Sequence, residues 1–144
     1  QLDKSLLKKN IVVIDNYNAR NLQKELFSEE LDGVVIDVSF ISLTYLLEGI
    51  SNVLSDGAHV LALIKPQFEC ENRKVGKNGI VKDKETHKKI LEKVLDFAVK
   101  CNLFPRKLTE APIVSGKNIE YVVLLEKSGL CKNINKLLIK SVKL

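Results

Sequence analysis

Several features that would narrow the class of this protein are missing from its sequence. Its three cysteines, Cys70, Cys101 and Cys131, form no Cys-x-x-Cys pair, which argues against a zinc site and against a disulfide framework. We therefore expect reduced thiols, as in cytoplasmic proteins. No apolar run approaches the roughly 18 residues that cross a bilayer, and the polar start at Gln1 shows no signal-peptide pattern. The sequence predicts a cytoplasmic protein without stable membrane insertion.

The residues that are present are typical of one globular domain. The chain has 144 residues, of which 45% are hydrophobic and 28% are charged. This length suffices to bury a core, and the composition is ordinary for a folded protein. The net charge of +5 is compatible with a polyanionic partner. Net charge alone does not identify such a partner, so the position of the charges matters more.

Three short apolar runs predict buried strands over residues 11–14, 34–38 and 59–65. All three are apolar on both faces, as is typical of parallel strands that helices cover on each side. Apolar residues at a helical period predict helices over residues 41–54 and 84–101. The alternation of strand and helix predicts an α/β fold.

The pattern changes in the last third of the chain. Strands are predicted over residues 104–113 and 119–127, joined by a hairpin signal at residues 115–118. Residues 132–144 form an amphipathic pattern that predicts a short helix. The predicted sheet is therefore mostly parallel with an antiparallel C-terminal hairpin.

Polar residues stand at or just past the ends of the three predicted parallel strands. These residues are Asn18, Asp37 and Lys65. Ligands of such sheets bind beyond the carboxyl ends of the strands. The three side chains therefore define a candidate site on one edge of the sheet.

Three segments together resemble one known family. They are DGVVIDVSFISL at 32–43, ALIKPQFE at 62–69 and VGKNGIV at 75–81. This combination resembles the hemolysin A-like (TlyA) family, whose members look like FtsJ-type RNA ribose methyltransferases. The resemblance covers essentially the whole chain. It implies a partial methyltransferase domain over residues 1–144, with a Rossmann-like class I fold that lacks its first two strands and its glycine-rich loop.

The resemblance also implies roles for individual residues. In the family a Lys-Asp-Lys-Glu tetrad surrounds the transferred methyl group; Asp37, Lys65 and Glu120 match its last three members, and the first Lys is not in this sequence. The implied cofactor is S-adenosylmethionine, with Asn18 near its adenine and Asp37 also on the cofactor side. Tyr17 stands where relatives tend to have a smaller residue. The implied reaction is methyl transfer to a ribose 2′-hydroxyl in ribosomal RNA.

Geometry gives independent support for this placement. If the last strand pairs antiparallel beside the strand that ends at Lys65, its first residues lie next to that end. Glu120 would then converge with Lys65 and Asp37. A ribose hydroxyl must lose its proton as it attacks, and Lys65 is the candidate base. The carboxylates of Asp37 and Glu120 are expected to hold the lysine in place and to balance charge.

The remaining charged residues have weaker functional interpretations. Arg73, Lys74, Lys77 and Lys82 lie in a long predicted loop, where they either contact RNA phosphates or form a solvated surface. His59 and His87 have no cysteine or carboxylate at metal-ligand spacing, so we expect structural roles for both.

Two other functions stay open at this stage. One is a membrane-active hemolysin, which leakage of liposomes without cofactor would reveal. The other is a catalytically inactive RNA-binding module with the same fold, which a missing glycine-rich loop and first catalytic Lys upstream would indicate.

The resemblance implies that two strands are absent, of which the first would pair with residues 34–38 and the second with residues 11–14. An unpaired strand edge recruits another strand. We therefore expect either that residues 11–14 pair directly with residues 34–38, or that two chains form an edge-to-edge dimer.

Overall fold

A computed structural model describes residues 10–70, 75–76, 78–112, 116–127 and 134–142 of the chain. Its strands are β1 (Leu31–Ile36), β2 (Leu54–Ile64), β3 (Leu103–Glu110) and β4 (Tyr121–Lys127). Its helices are α1 (Thr44–Val53), α2 (Pro66–Glu69), α3 (Lys84–Lys100) and α4 (Asn135–Ser141). Two short 3-10 helices, Ala19–Asn21 and Lys24–Leu26, precede β1.

The four strands form one sheet in the order β1-β2-β4-β3. β1 and β2 are parallel, whereas β4 runs antiparallel to both β2 and β3. The α/β class and the antiparallel C-terminal hairpin are therefore confirmed. The central position of β2 and β4 brings the carboxyl ends of β1 and β2 beside the first residues of β4.

β2 begins five residues earlier than the sequence predicts because its entry contains a bulge. Leu31 pairs with Leu54 and Gly33 pairs with His59, so the intervening residues of β2 bulge out of the ladder. Gly57, within this bulge, has φ of +81°, a left-handed conformation that glycine adopts without strain. The dipeptide Asp56-Gly57, a sequence typical of turns, thus lies at a bulge inside the strand.

The predicted strand over residues 11–14 is wrong. These residues have no strand conformation, and Val12 is 87% exposed. A short apolar run becomes a strand only when a neighbouring backbone pairs with it. The described residues supply no such partner, so the expected pairing of residues 11–14 with β1 does not form. Edge-to-edge pairing of two chains through β1 stays a prediction.

The strands are covered on one face, which corrects the expectation of helices on both sides. Along β2 the side chains of Ala58, Val60, Ala62 and Ile64 are buried, whereas the alternate Leu61 is 43% exposed. In β1, Val35 is 79% exposed. Side chains of a strand alternate between two faces, so this pattern identifies one packed face and one open face in the described structure.

The packed face is covered mainly by α3, as its sequence pattern predicts. The buried stripe of this helix is Ile90, Leu91, Val94, Leu95 and Ala98. α3 packs against β3 and α1, and α4 packs against α3 and β3. The helices of the described ranges are too short or too polar to span a lipid bilayer.

A buried His–Tyr pair joins α3 to β4. His87 Nε2 lies 2.9 Å from the carbonyl oxygen of Val81, which can only accept, so this nitrogen donates. In the neutral ring Nδ1 then accepts, and the Tyr121 hydroxyl donates to it over 2.8 Å. Burial, together with the nearby Glu110 carboxylate, raises the pKa of Tyr121 to about 12, so the phenol keeps its proton. His87 therefore has the structural position expected from the sequence.

The first turn of α3 offers a test of the fold. Asp83 is the N-cap, and its carboxylate accepts hydrogen bonds from the Thr86 hydroxyl at 2.5 Å and the Thr86 backbone N–H at 2.8 Å. These bonds lower the pKa of Asp83. The folded state therefore binds a proton on Asp83 more weakly than the unfolded state does. The stabilisation by Asp83 is fully present above the ordinary aspartate pKa of about 3.9, and it is lost as the pH falls through the lower pKa that Asp83 has in the folded protein.

We predict that Asp83→Ala lowers the melting temperature at pH 7, whereas Asp83→Asn retains most of the stability because an amide oxygen also caps helices. The loss caused by Asp83→Ala should shrink in melts at pH 3. The matched control is Glu92→Ala, further along the same helix. Equal melting temperatures for Asp83→Ala and Glu92→Ala at pH 7 would contradict the assigned cap.

Candidate active site

An ion pair at the sheet edge joins the ends of β1 and β2. Asp37 directly follows β1, and Lys65 directly follows β2. The parallel register places these ends side by side, and Lys65 Nζ lies 2.5 Å from Asp37 Oδ1. The side chain of Lys65 is only 13% exposed, whereas that of Asp37 is 65% exposed. The lysine side chain is thus largely buried, whereas the carboxylate that it contacts is largely exposed.

Glu120 reaches the same edge from the neighbouring strand. Tyr121 pairs with Ile64, so the preceding Glu120 lies beside Lys65, as the antiparallel geometry predicts. The Glu120 carboxylate accepts a hydrogen bond of 2.9 Å from Gln67 Nε2. Gln67 Oε1 is buried and has no hydrogen-bond partner in the described residues. An unpaired buried acceptor next to Glu120 is suited to receive a hydroxyl or amine of a ligand.

A buried carboxylate fixes the geometry of these loops. Glu69 Oε2 accepts from the Ser42 hydroxyl, and Glu69 Oε1 accepts from the Leu43 backbone N–H, each at 2.6 Å. Its side chain is 2% exposed, and Lys93 Nζ lies 3.8 Å away on α3. Glu69 therefore connects the turn after Lys65 to the loop after Asp37.

Gln67 and Glu69 belong to the family segment at 62–69, but the sequence analysis assigns no role to either residue. A signal for both was present. Pro66 is the first residue of a helical turn, a position where proline is common. Successive side chains of such a turn point in different directions, so Gln67 and Glu69 can contact different elements. Gln67 points to β4 and Glu69 points to α1.

The other predicted site residues are not joined to this group by the described contacts. Asn18 caps a 3-10 helix, where its side chain accepts from Arg20 N–H at 3.1 Å. The Arg20 guanidinium lies 4.6 Å above the ring of Tyr45. Arg73, Lys74 and Lys77 lie outside the described residues.

The described end of the long loop is attached to the hairpin. Asn118 Oδ1 accepts from Val81 N–H at 2.9 Å, and Asn118 Nδ2 donates to the carbonyl of Gly79 at 2.8 Å. A cavity of about 230 Å³ lies beside this contact, lined by Ala111, Pro112, Lys117, Asn118 and Glu120. Among the residues that the structure describes, no three His, Cys, Asp or Glu side chains cluster so as to hold a metal ion.

Comparison with known proteins agrees with the geometry of the edge. The model of the FtsJ-like methyltransferase family matches residues 1–127. The chain belongs to the FtsJ-like methyltransferase family. The Rossmann-like class I methyltransferase fold implied by the sequence is thereby confirmed, and Asp37, Lys65 and Glu120 all lie inside the matched range.

Proteins similar to this FtsJ-like chain are named either as hemolysins or as ribosomal RNA methyltransferases. Over 114 residues it is 38% identical to "Hemolysin A" of Brachyspira hyodysenteriae, covering 78% of this chain and 48% of that protein. Over 73 residues it is 41% identical to "16S/23S rRNA (cytidine-2'-O)-methyltransferase TlyA" of Mycobacterium tuberculosis, covering 51% of this chain and 27% of that protein. The chain thus spans about half or less of the length of these relatives.

A solved structure of a proposed hemolysin from Streptococcus thermophilus is also similar to the FtsJ-like chain. The two share 37% sequence identity and superpose with a TM-score of 0.86, covering 97% of this chain and 53% of the other. The predicted kinship with the hemolysin A-like group is therefore confirmed.

The buried carboxylate generates a prediction about stability. Glu69→Ala leaves the Ser42 hydroxyl and the Leu43 N–H without their acceptor, so we expect the free energy of unfolding to fall by about 2–3 kcal/mol in urea titrations. The control, Glu48→Ala on the exposed side of α1, should change it by less than about 0.5 kcal/mol. Similar values for both variants would show that Glu69 does not fasten the loops.

Proposed function

We propose that the protein transfers a methyl group from S-adenosylmethionine to a ribose 2′-hydroxyl of ribosomal RNA. The observation that carries this proposal is the largely buried side chain of Lys65, whose Nζ lies 2.5 Å from Asp37 Oδ1 at the edge that Glu120 also reaches. Asp37, Lys65 and Glu120 come from three separate strand ends, and their convergence matches the last three members of the tetrad implied by the sequence.

The residues present fit the cofactor on one side of its site. The Asp37 carboxylate is 65% exposed at the carboxyl edge of the parallel pair, where ligands of such sheets bind. A carboxylate in this position suits a cationic ligand. Asp37 and, as the family resemblance implies, Asn18 would contact S-adenosylmethionine, which supplies an electrophilic methyl group on a positively charged sulfur.

Lys65 is the residue that we assign to proton transfer. The 2′-hydroxyl is a weak nucleophile, and it reacts when a positioned base takes its proton. In the neutral form, Lys65 Nζ accepts this proton as the ribose oxygen attacks the methyl group. Asp37 orients the amine through the hydrogen bond that Lys65 Nζ donates to its Oδ1, and Glu120 orients the ribose side with Gln67.

The proposed substrate follows from the relatives and from charge. One relative is named as a methyltransferase of the cytidine 2′-oxygen in 16S and 23S ribosomal RNA. The chain carries a net charge of +5, which suits an RNA partner. Within this proposal Arg73, Lys74 and Lys77 contact RNA phosphates.

The assigned base gives a direct test in the full-length protein. Lys65→Ala should lower methyl transfer to ribosomal RNA by about 10²- to 10⁴-fold, because a positioned base contributes an effect of this size. Affinity for S-adenosylmethionine, measured by calorimetry, should change little, since loss of the base damages the transition state and not ground-state binding.

The matched control is Lys100→Ala, at the exposed C-terminal end of α3. It should retain the turnover of the parent protein. If Lys65→Ala also retained most of its turnover, Lys65 would not be the base.

A further inference from the structure

A second cavity, outside the group around Lys65, opens on the α3 side of the sheet. Its volume is about 390 Å³, within the range of roughly 300–1,000 Å³ found for small-ligand sites. It is lined by Ile80, Val81, Lys82, Lys84, His87, Lys117, Ile119 and Tyr121. Its described wall is therefore mainly aliphatic and aromatic, and the charged residues among these lining residues are lysines.

The two aromatic side chains on the floor of this cavity are buried and hydrogen-bonded to each other. Tyr121 is 1% exposed and His87 is 3% exposed. The Tyr121 hydroxyl donates to His87 Nδ1, and His87 Nε2 donates to Val81 O. Both imidazole nitrogens are occupied, and the pKa of Tyr121 is raised to about 12 by burial, so neither side chain is poised as a base. The floor suits a flat apolar group.

The rim of the cavity, in contrast to its floor, is positively charged. Lys82, Lys84 and Lys117 are all exposed. Asp83 stands between two of them, but its carboxylate is engaged by Thr86 at the start of α3. The three amines surround an apolar cavity, which is the complement of a ligand with a flat ring and neighbouring negative charges.

The position of the cavity relates it to the candidate active site. Lys117 lines this cavity and also the smaller cavity that contains Glu120. Tyr121, on the floor, follows Glu120 directly and pairs with Ile64, the residue before Lys65. The two cavities therefore adjoin at the same strand ends.

We propose that the 390 Å³ cavity binds the base of an RNA nucleotide next to the one that is methylated, while the three rim lysines contact its phosphates. This inference rests on the proposed function and names a further part of the substrate site. In proteins that bind single-stranded RNA, the bases pack against apolar and aromatic side chains, and nearby basic side chains contact the phosphate backbone. A purely aliphatic ligand would leave the three amines without a counter-charge.

The experiment measures methyl transfer by the full-length protein to deproteinised ribosomal RNA at several salt concentrations. In Lys82→Ala/Lys84→Ala we expect KM for RNA to rise about 10- to 30-fold near 0.1 M salt. The slope of log KM against log salt should fall by about 1.4, because each contact to a single-stranded phosphate contributes about 0.7. Ile119→Asp, which places a charge in the apolar wall, should raise KM about 5- to 100-fold, as expected for loss of one stacked base.

Two further variants separate the cavity from general effects of charge and folding. Lys100→Ala/Lys107→Ala removes two exposed lysines that do not line the cavity, and it should keep the KM and salt slope of the parent protein. Ile119→Leu keeps the wall apolar and should also keep KM. Melting temperatures confirm that every variant is folded.

The possible failures are distinguishable. If the parent protein methylated no ribosomal RNA, the proposed function would fail. If it did methylate RNA and the cavity variants kept its KM and salt slope, only the cavity proposal would be overturned. The same would hold if 5′-AMP stabilised the protein through Lys82 and Lys84 while KM for RNA was unaffected by their loss, because the cavity would then serve a free nucleotide.

Discussion

β2 is the element on which the arrangement of the candidate site depends. Its backbone pairs with β1 in parallel on one side and with β4 in antiparallel orientation on the other. This combination forces two strand ends and one strand start to meet at a single edge of the sheet. Asp37, Lys65 and Glu120 occupy these three positions, so their convergence follows from the backbone register before any side-chain contact is considered.

The side chains then convert this proximity into a defined geometry. The short α2 turn after Lys65 supplies Gln67 to Glu120 and Glu69 to the loop that follows Asp37. A buried carboxylate is costly to leave unpaired, so the Glu69 contacts restrain both loops strongly. Under the proposed function these groups must be held within fractions of an ångström, and α2 contacts residues on both sides of the ion pair.

The sequence predicted helices and strands better than it predicted which faces and edges of the sheet are covered by other elements. The stripe of α3, the antiparallel hairpin and the meeting of Asp37 with Lys65 could be predicted because periodicity and strand topology determine them. Residues 11–14 could not be assigned correctly, because an apolar run does not reveal whether a partner strand is available. The open face of β1 and β2 was missed for the same reason. The role of Glu69 depends on a contact with Ser42 across 27 positions, which no local pattern encodes.

Under the proposed function, the edge formed by Lys65, Asp37 and Glu120 directs methyl transfer to a ribose oxygen. The most direct measurement incubates the full-length protein with unmodified ribosomal RNA and S-adenosylmethionine that carries a deuterated methyl group. The RNA is then digested to nucleosides and analysed by mass spectrometry. Our account predicts the label in a 2′-O-methylnucleoside, on the sugar fragment. Label on a base fragment, or no label in RNA that a known ribose methyltransferase does modify, would contradict it.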